Sequence, residues 1–330
     1  MKTILNKLIN KQILSKEEAK DAFILIGKGE ANPSQIAAFM TVFLMRNISS
    51  NELAGFREAM LELCVKVDLD KYQAVDLVGT GGDTKNTFNI STLSAFVAAG
   101  AGVKIAKHGN YAVSSASGSS NVLEQLGVKF EAEKKGIEAQ IQNAGITFFH
   151  APLFHPAMKN VAPIRKELGI KTFFNILGPL TNPAHLQKRS VGVYNLEIMR
   201  LYQSVLQETS ERYIIAHSLD GYDEISLTGP FKLISNEFEK VFTPEDLGLK
   251  KLNQEELFGG NTPQEAAVIF KNILDGKGTE AQKTVVSANA ATAIWVNNEG
   301  IKLKDAVTIA RESLDSGNAR GCFEKLVNKL

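Results

Sequence analysis

Along the first sixty residues, apolar positions recur at helical spacing in three successive stretches. Ala19, Ala22, Phe23 and Ile26 share one face, and Ile36, Phe39, Met40, Phe43 and Leu44 make a second stripe. Leu53, Phe56 and Met60 make a third. Each stripe begins at a helix-start signal. Ser15-x-x-Glu18 and Ser49-x-x-Glu52 read as capping boxes, and Asn32-Pro33-Ser34-Gln35 adds a proline at the first helical position. Residues 1–66 carry no chemistry and form a small helical module that needs a partner surface.

From Tyr72 the period changes. Short β-rich runs at Val75–Val78, Val103–Ala106, Thr147–Phe149, Val191–Tyr194 and Tyr213–Ala216 alternate with helical stretches. That alternation predicts a parallel or mostly parallel sheet flanked by helices. Phe231–Ile234 and Val241–Phe242 lie close together and suit antiparallel additions. The last third is helical again, with Thr262-Pro263-Gln264-Glu265 read as a capping box and an N1 proline before the helix Ala266–Leu274. The expected fold class is α/β: a small all-helical N-terminal domain, residues 1–67, and a larger α/β domain over 72–330. In such folds the loops after strands collect ligands.

Bulk properties narrow the function. A length of 330 residues suits about two domains, and 44% hydrophobic with 22% charged residues is ordinary for a globular protein. With 37 basic and 36 acidic residues the net charge is +1, so no basic footprint for nucleic acid is expected. Cys64 and Cys322 stand far apart and read as free thiols in a reducing compartment. Asn6, Lys7 and Asn10 interrupt any signal-peptide core, and no run reaches the ~20 apolar residues of a membrane span. A cytoplasmic protein is the expectation.

The chemistry-bearing residues fall in four clusters. The first is Gly79-Thr80-Gly81-Gly82-Asp83 directly after the run Val75–Val78, continued by Thr87, Asn89, Ser91 and Thr92. Three glycines in four positions let backbone N–H groups converge on an anion, and the hydroxyls follow at a helix start, where phosphate is favoured. The second is Lys107-His108-Gly109-Asn110 with Ser114-Ser115 and Ser117-Gly118-Ser119. The third is Arg165 in Ala162-Pro163-Ile164-Arg165, followed by Gly178-Pro179-Leu180-Thr181-Asn182-Pro183. The fourth is Asp220-Gly221-Tyr222-Asp223-Glu224. Singly, these read as a turn, a surface pair, an exposed arginine and solvated acids. Together they equip a site for a phosphorylated substrate with Mg²⁺, which prefers hard oxygen ligands.

These motifs, in this order and at this spacing, resemble the anthranilate phosphoribosyltransferase family of tryptophan biosynthesis over essentially the whole chain. The resemblance implies a helical domain completed by a central segment at about 158–185, an α/β domain, a homodimer and a hinge. It also implies the reaction, in which the amine of anthranilate takes the phosphoribosyl group of 5-phosphoribosyl 1-pyrophosphate and pyrophosphate leaves. Gly79, Gly82, Asp83, Thr87, Asn89, Ile90, Ser91 and Thr92 match the donor loop. Lys107, His108, Gly109, Asn110, Tyr111, Ala112, Val113, Ser114, Ser115 and Ser119 match the loop along phosphate and ribose. Gly79, Asn110 and Arg165 match positions that meet anthranilate, and Ser91, Asp223 and Glu224 match the magnesium ligands.

The chain departs from the family in four places. Thr84 stands where a second glycine is common, Tyr111 where arginine is, Ala116 where a longer polar residue is, and Leu153-Phe154-His155 where a histidine pair is. No phosphate, metal or carboxylate ligand is lost. Because an aryl amine is already unprotonated at pH 7, no strong base is required, and the site has no Ser-His-Asp or Cys-His set. His108 is the candidate for late proton acceptance, with a structural hydrogen-bonding role as its alternative. Two rivals remain. A nucleoside phosphorylase of the same broad fold would want a phosphate loop but not the acidic pair. A non-catalytic nucleic-acid binder would lose the acidic pair or the glycine turn and gain basic charge.

Overall fold

The computed structural model describes residues 1–112 and 117–328. Four helices come first: α1 (Lys2–Ile9), α2 (Lys16–Gly27), α3 (Pro33–Met45) and α4 (Ser50–Leu63). Next come β1 (Val75–Gly79), α5 (Ile90–Gly100), β2 (Ile105–Gly109), α6 (Ser119–Gln125), α7 (Lys134–Asn143) and β3 (Ile146–His150). Three short helices follow, α8 (Ala151–Phe154), α9 (Ala162–Leu168) and α10 (Phe174–Leu177). The chain then forms β4 (Lys188–Gly192), α11 (Leu196–Thr209), β5 (Arg212–Ser218), β6 (Phe231–Ser235) and β7 (Glu239–Phe242). It closes with α12 (Pro263–Leu274), α13 (Glu280–Asn297), α14 (Leu303–Asp315) and α15 (Asn318–Asn328). The elements divide into a helical unit, Met1–Val67 with Ala151–His185, and an α/β unit, Asp68–His150 with Leu186–Leu330.

In the helical unit all three start signals operate. The side chains of Ser15, Asn32 and Ser49 accept from the N–H three residues on, and Glu18, Gln35 and Glu52 reach back. Glu52 does more than cap. Fully buried, it also accepts from Leu14 N (3.1 Å) and from Arg46 Nη1 (2.9 Å), tying two loops to α4. The core is an aromatic cluster built from two distant segments. Phe23, Phe39, Phe43 and Phe56 pack with Phe173 and Phe174, the Phe56 and Phe173 rings stacking at 4.8 Å between centroids. The stripes of α3 and α4 therefore face inward. Leu44 is the exception at 43% exposed, because it lies beyond the arc that meets the cluster.

The α/β unit holds, among the described residues, one seven-stranded sheet in the order β3-β2-β1-β4-β5-β6-β7. The first five strands are parallel, and β6 and β7 add antiparallel at one edge. Two strand expectations shift. β2 starts at Ile105 rather than Val103 and runs through Lys107 and His108, since pairing with β3 continues to Gly109↔His150. β4 covers Lys188–Gly192 rather than Val191–Tyr194, set by its register with β1 and β5. The helix expected from Ala266 begins at Pro263. Thr262 caps it, but Glu265 accepts from Asn261 N instead of closing a box. Helix α13 is buried along almost its whole length and packs on α5, α14 and the central strands. Order matters most at one place: the chain builds outward from β1 to β2 and β3, then returns to the other side with β4. The carboxyl ends of β1 and β4 thus mark the switch point where α/β sheets take ligands.

Phe56→Ala should destabilise the helical unit by ~3–5 kcal/mol, the usual loss for a fully buried aromatic. Calorimetric unfolding should show an earlier transition, while the α/β transition stays in place.

Candidate active site

The glycine-rich turn leaves β1 at the switch point, and the acidic segment after β5 crosses over it. Gly81 and Gly82 take φ of +63° and +81°, a region open to glycine and rare for other residues. The close approach is stricter still at the strand ends. A Cβ on Gly79 would strike the Asp223 carboxylate, and one on Gly192 would strike the Asp223 carbonyl. Both strands must end in glycine for the acidic segment to lie where it does. Gly81 N donates to Asp223 Oδ2 (2.6 Å) and Ser91 N, in the first turn of α5, donates to Glu224 Oε1 (2.9 Å). The donor loop and the acidic pair, 133 to 142 residues apart in sequence, are thus bound to each other. Thr84, where the family commonly has glycine, holds φ +62°, its hydroxyl donating to Asp83 O (2.6 Å).

Charge is concentrated here. Burial first, then the adjacent Asp83 carboxylate, pushes Asp223 up to about 7. Glu224 is raised well above its ordinary value by burial and by Asp223 and Asp83. Asp83 is raised too, by burial. Lys107 is the nearby cation. Burial lowers its ammonium to about 8, while Asp76, Glu224 and Asp223 draw it back up. Its Nζ donates to Leu77 O (2.5 Å) and stands 3.4 Å from Ser91 Oγ. Lys107 is a buried counter-charge beneath the turn, not a lysine at the mouth of a loop.

Three carboxylates that resist ionisation suit a missing positive charge. Among the described residues no three His, Cys, Asp or Glu side chains gather as a complete metal cage. Mg²⁺ does not ask for one, since it takes one or two carboxylates and fills its shell with phosphate and water. The hard oxygens of Asp223 and Glu224 with the Ser91 hydroxyl fit that demand.

The second cluster gathers beyond the end of β2. Asn110 O accepts from Ser119 Oγ (3.2 Å) and Ser120 N (3.1 Å). Asn121 Oδ1 accepts from Ala112 N (2.9 Å) and Gly118 N (3.0 Å). Asn89 Nδ2 donates to Ser117 O (3.0 Å), which joins this cluster to the donor loop. Tyr111 donates its hydroxyl to Glu124 (2.7 Å) and sets its ring edge-on to His150. Thr87 bridges to Phe258. Val113, Ser114 and Ser115 lie outside the described residues.

Two of the expected contacts need correction. The Ile90 side chain is fully buried in the hydrophobic core and its N–H is bonded to Phe88 O, so it offers a ligand nothing directly. Thr92 is likewise buried, at 2% exposed. Arg165 sits on α9 of the helical unit, half-buried, with Nη2 3.3 Å from Asn175 Oδ1 and its guanidinium 5.2 Å from the Phe174 ring centroid. Burial lowers its pKa, and among the described residues no carboxylate lies within ion-pair distance of it.

Sequence reasoning missed the charges under the site. Asp76 and Arg189 are opposite in the β1–β4 register and fully buried, with Nη1 and Oδ2 3.9 Å apart. Asp76 Oδ1 also accepts from His108 N (3.2 Å). Asp76 inside the apolar run of β1 was the readable signal, whereas Arg189 lies ahead of the run Val191–Tyr194 and gave none.

Known proteins agree with this architecture. The glycosyl transferase family, a/b domain, matches residues 71–320, and its helical bundle domain matches residues 2–64. An anthranilate phosphoribosyltransferase of Flavobacterium johnsoniae is 58% identical over 99% of this chain and 98% of the relative. One from Cytophaga hutchinsonii is 54% identical over 99% and 100%. The crystal structure of the Thermus thermophilus enzyme superposes with a TM-score of 0.92 at 36% identity, covering 98% of both chains. The Saccharomyces cerevisiae enzyme in complex with PRPP and Mg gives 0.89 at 29% identity, covering 99% and 98%. With the glycine turn, the strand-end glycines and the paired carboxylates in their places, the chain belongs to the anthranilate phosphoribosyltransferase family.

Proposed function

We propose that this chain transfers the phosphoribosyl group of 5-phosphoribosyl 1-pyrophosphate (PRPP) to the amine of anthranilate, a step of tryptophan biosynthesis. The products are N-(5-phosphoribosyl)anthranilate and pyrophosphate. The observation that carries this reading is the glycine-walled crossing at the switch point, where bare backbone faces the buried Asp223 carboxylate, with the half-buried Glu224 next to it. Phosphate oxygens use the first and a hard cation the second. Identity of 58% to a relative of that name supports the same reaction.

In that reaction the amine lone pair forms the C1–N bond as the C1–O bond to pyrophosphate breaks; pyrophosphate departs with the electron pair, and the nitrogen sheds one proton to it or to water. The attacking nitrogen is already neutral, so the work lies in alignment and in stabilising charge on the leaving group. We assign the phosphates and ribose to Gly79, Gly82, Asp83, Thr87, Asn89 and Ser91, with Gly109, Asn110 and Ser119 on the second loop. Bound Mg²⁺, held by Asp223, Glu224 and Ser91, would supply positive charge to the pyrophosphate oxygens. Lys107 balances the acids from below. His108 is 4% exposed within β2, which favours a structural role over proton transfer.

Anthranilate brings one full negative charge, and Arg165 is a half-buried guanidinium with, among the described residues, no acid beside it. We assign the substrate carboxylate to that guanidinium, which can bind it through two parallel hydrogen bonds. As partner we assign a second copy of the chain. The stripes within residues 36–61, the surface first expected to meet it, are spent on the unit's own core, which leaves exposed apolar side chains such as Ile9, Ile13, Leu44 and Met45.

Asp223→Asn with Glu224→Gln should abolish Mg²⁺-dependent turnover while leaving the circular dichroism spectrum unchanged. Near-normal turnover at ordinary Mg²⁺ would remove the metal assignment. Arg165→Ala should raise the Michaelis constant for anthranilate about 30-fold, from a loss of about 2 kcal/mol at the low end for a desolvated charged pair, and spare PRPP. Steady-state kinetics varying each substrate separately reads this directly. Equal losses for both substrates would count against the carboxylate assignment.

A further inference from the structure

The acidic pair stands on a turn between β5 and β6, a segment without regular structure that must hold two buried like charges still. Two side chains far apart in sequence grip its backbone. Asn289, on α13 and only 7% exposed, accepts from Ile225 N through Oδ1 (2.9 Å) and donates through Nδ2 to Ile225 O (2.9 Å). The same amide donates to Val285 O (2.8 Å) one turn back on its own helix. Ile225 directly follows Glu224, so this grip fixes the peptide planes on both sides of Ile225, the first of which it shares with Glu224. From the strand side, Ser218 Oγ donates to Glu224 O (2.7 Å) and accepts from Ser226 N (3.0 Å).

Asn289 also reaches the space beside the carboxylates. A cavity of about 20 Å³ is lined by Ser91, Ser190, Asp223, Glu224, Asn289 and Thr292. Ser190 Oγ and Thr292 Oγ1 bond to each other at 2.6 Å, and Thr292 Oγ1 donates to Asn289 O (2.6 Å). The helix that carries Asn289 is anchored to β4 at the level of the acids. A carboxylate pair mounted on a free loop could relax apart to relieve its own repulsion. Here the Ile225 peptide, held by Asn289, and Glu224 O, held by Ser218, restrain the backbone against that relaxation.

We propose that Asn289 is a positioning residue for the magnesium carboxylates. Its amide holds the Glu224–Ile225 backbone so that Asp223 and Glu224 stay convergent before any cation arrives. The inference rests on the reading of that pair as the Mg²⁺ ligands. Groups that orient metal ligands from behind commonly set metal affinity by about 10–100-fold.

The test uses the full chain with Asn289→Ala and, as a second variant, Ser218→Ala, which removes the other grip. Mn²⁺ binding is followed by electron paramagnetic resonance on the protein alone and with PRPP, and turnover is measured against Mg²⁺ and against anthranilate. Asn289→Ala should weaken Mn²⁺ binding and raise the half-saturating Mg²⁺ at least about tenfold, with the anthranilate Michaelis constant changed less than about twofold. A folded variant that binds Mn²⁺ as the parent does, with only a lower melting temperature, would overturn the proposal. If Asn289→Ala does not fold, Ser218→Ala decides by the same readings. Parent protein that binds no Mn²⁺ even with PRPP would instead overturn the metal reading beneath it.

Discussion

The site rests on one steric allowance: the ends of β1 and β4 carry no Cβ where Asp223 crosses them. Because of that, the acidic segment lies flat on the sheet, close enough for Gly81 N and Ser91 N to bond its carboxylates. The glycine turn and the acidic pair become one object, although β5 and most of the sheet separate them in the chain. A methyl group at Gly192 would lift the acids away from the loop and disconnect both halves.

That geometry costs electrostatic stability. Asp83, Asp223 and Glu224 crowd together under burial, and each is harder to ionise than a free carboxylate. The protein offsets the repulsion only in part, with Lys107 below and the backbone N–H groups above. A divalent cation would relieve this repulsion, in keeping with the proposed Mg²⁺ assignment. Local strain adds to the same economy, since Thr84 is a β-branched residue held at positive φ beside Asp83.

Much of this was legible in the chain. Helix starts were readable because capping is local: Ser15, Asn32 and Ser49 each meet a partner three residues away. The glycine turn and the acidic pair, each bland alone, were readable because they occur together in the order and spacing of the family. Strand limits were less so. Lys107 and His108 look like a loop, and only the β3 ladder and the partners Leu77 O and Asp76 make them strand. Ile90 seemed part of the loop by adjacency, yet helical geometry turns it into the core. Asn289 was silent, a polar residue in an alanine-rich helix whose partner sits 64 residues earlier. Long-range polar partners are what a single chain read in order conceals.

The aromatic core of the helical unit has a consequence for synthesis. Phe23, Phe39, Phe43 and Phe56 leave the ribosome early, but Phe173 and Phe174, which close the cluster, come roughly a hundred residues later, or on the order of 5–20 s at ~5–20 residues per second. Throughout that interval four phenylalanines share an unfinished core while the first three strands emerge. The nascent chain must hold the N-terminal helices unlocked, guarded by chaperones or by their own transient collapse, until the central segment returns. The order of synthesis thus delays the helical unit, first in sequence, until His185 has emerged, though its chain is still complete before that of the α/β unit.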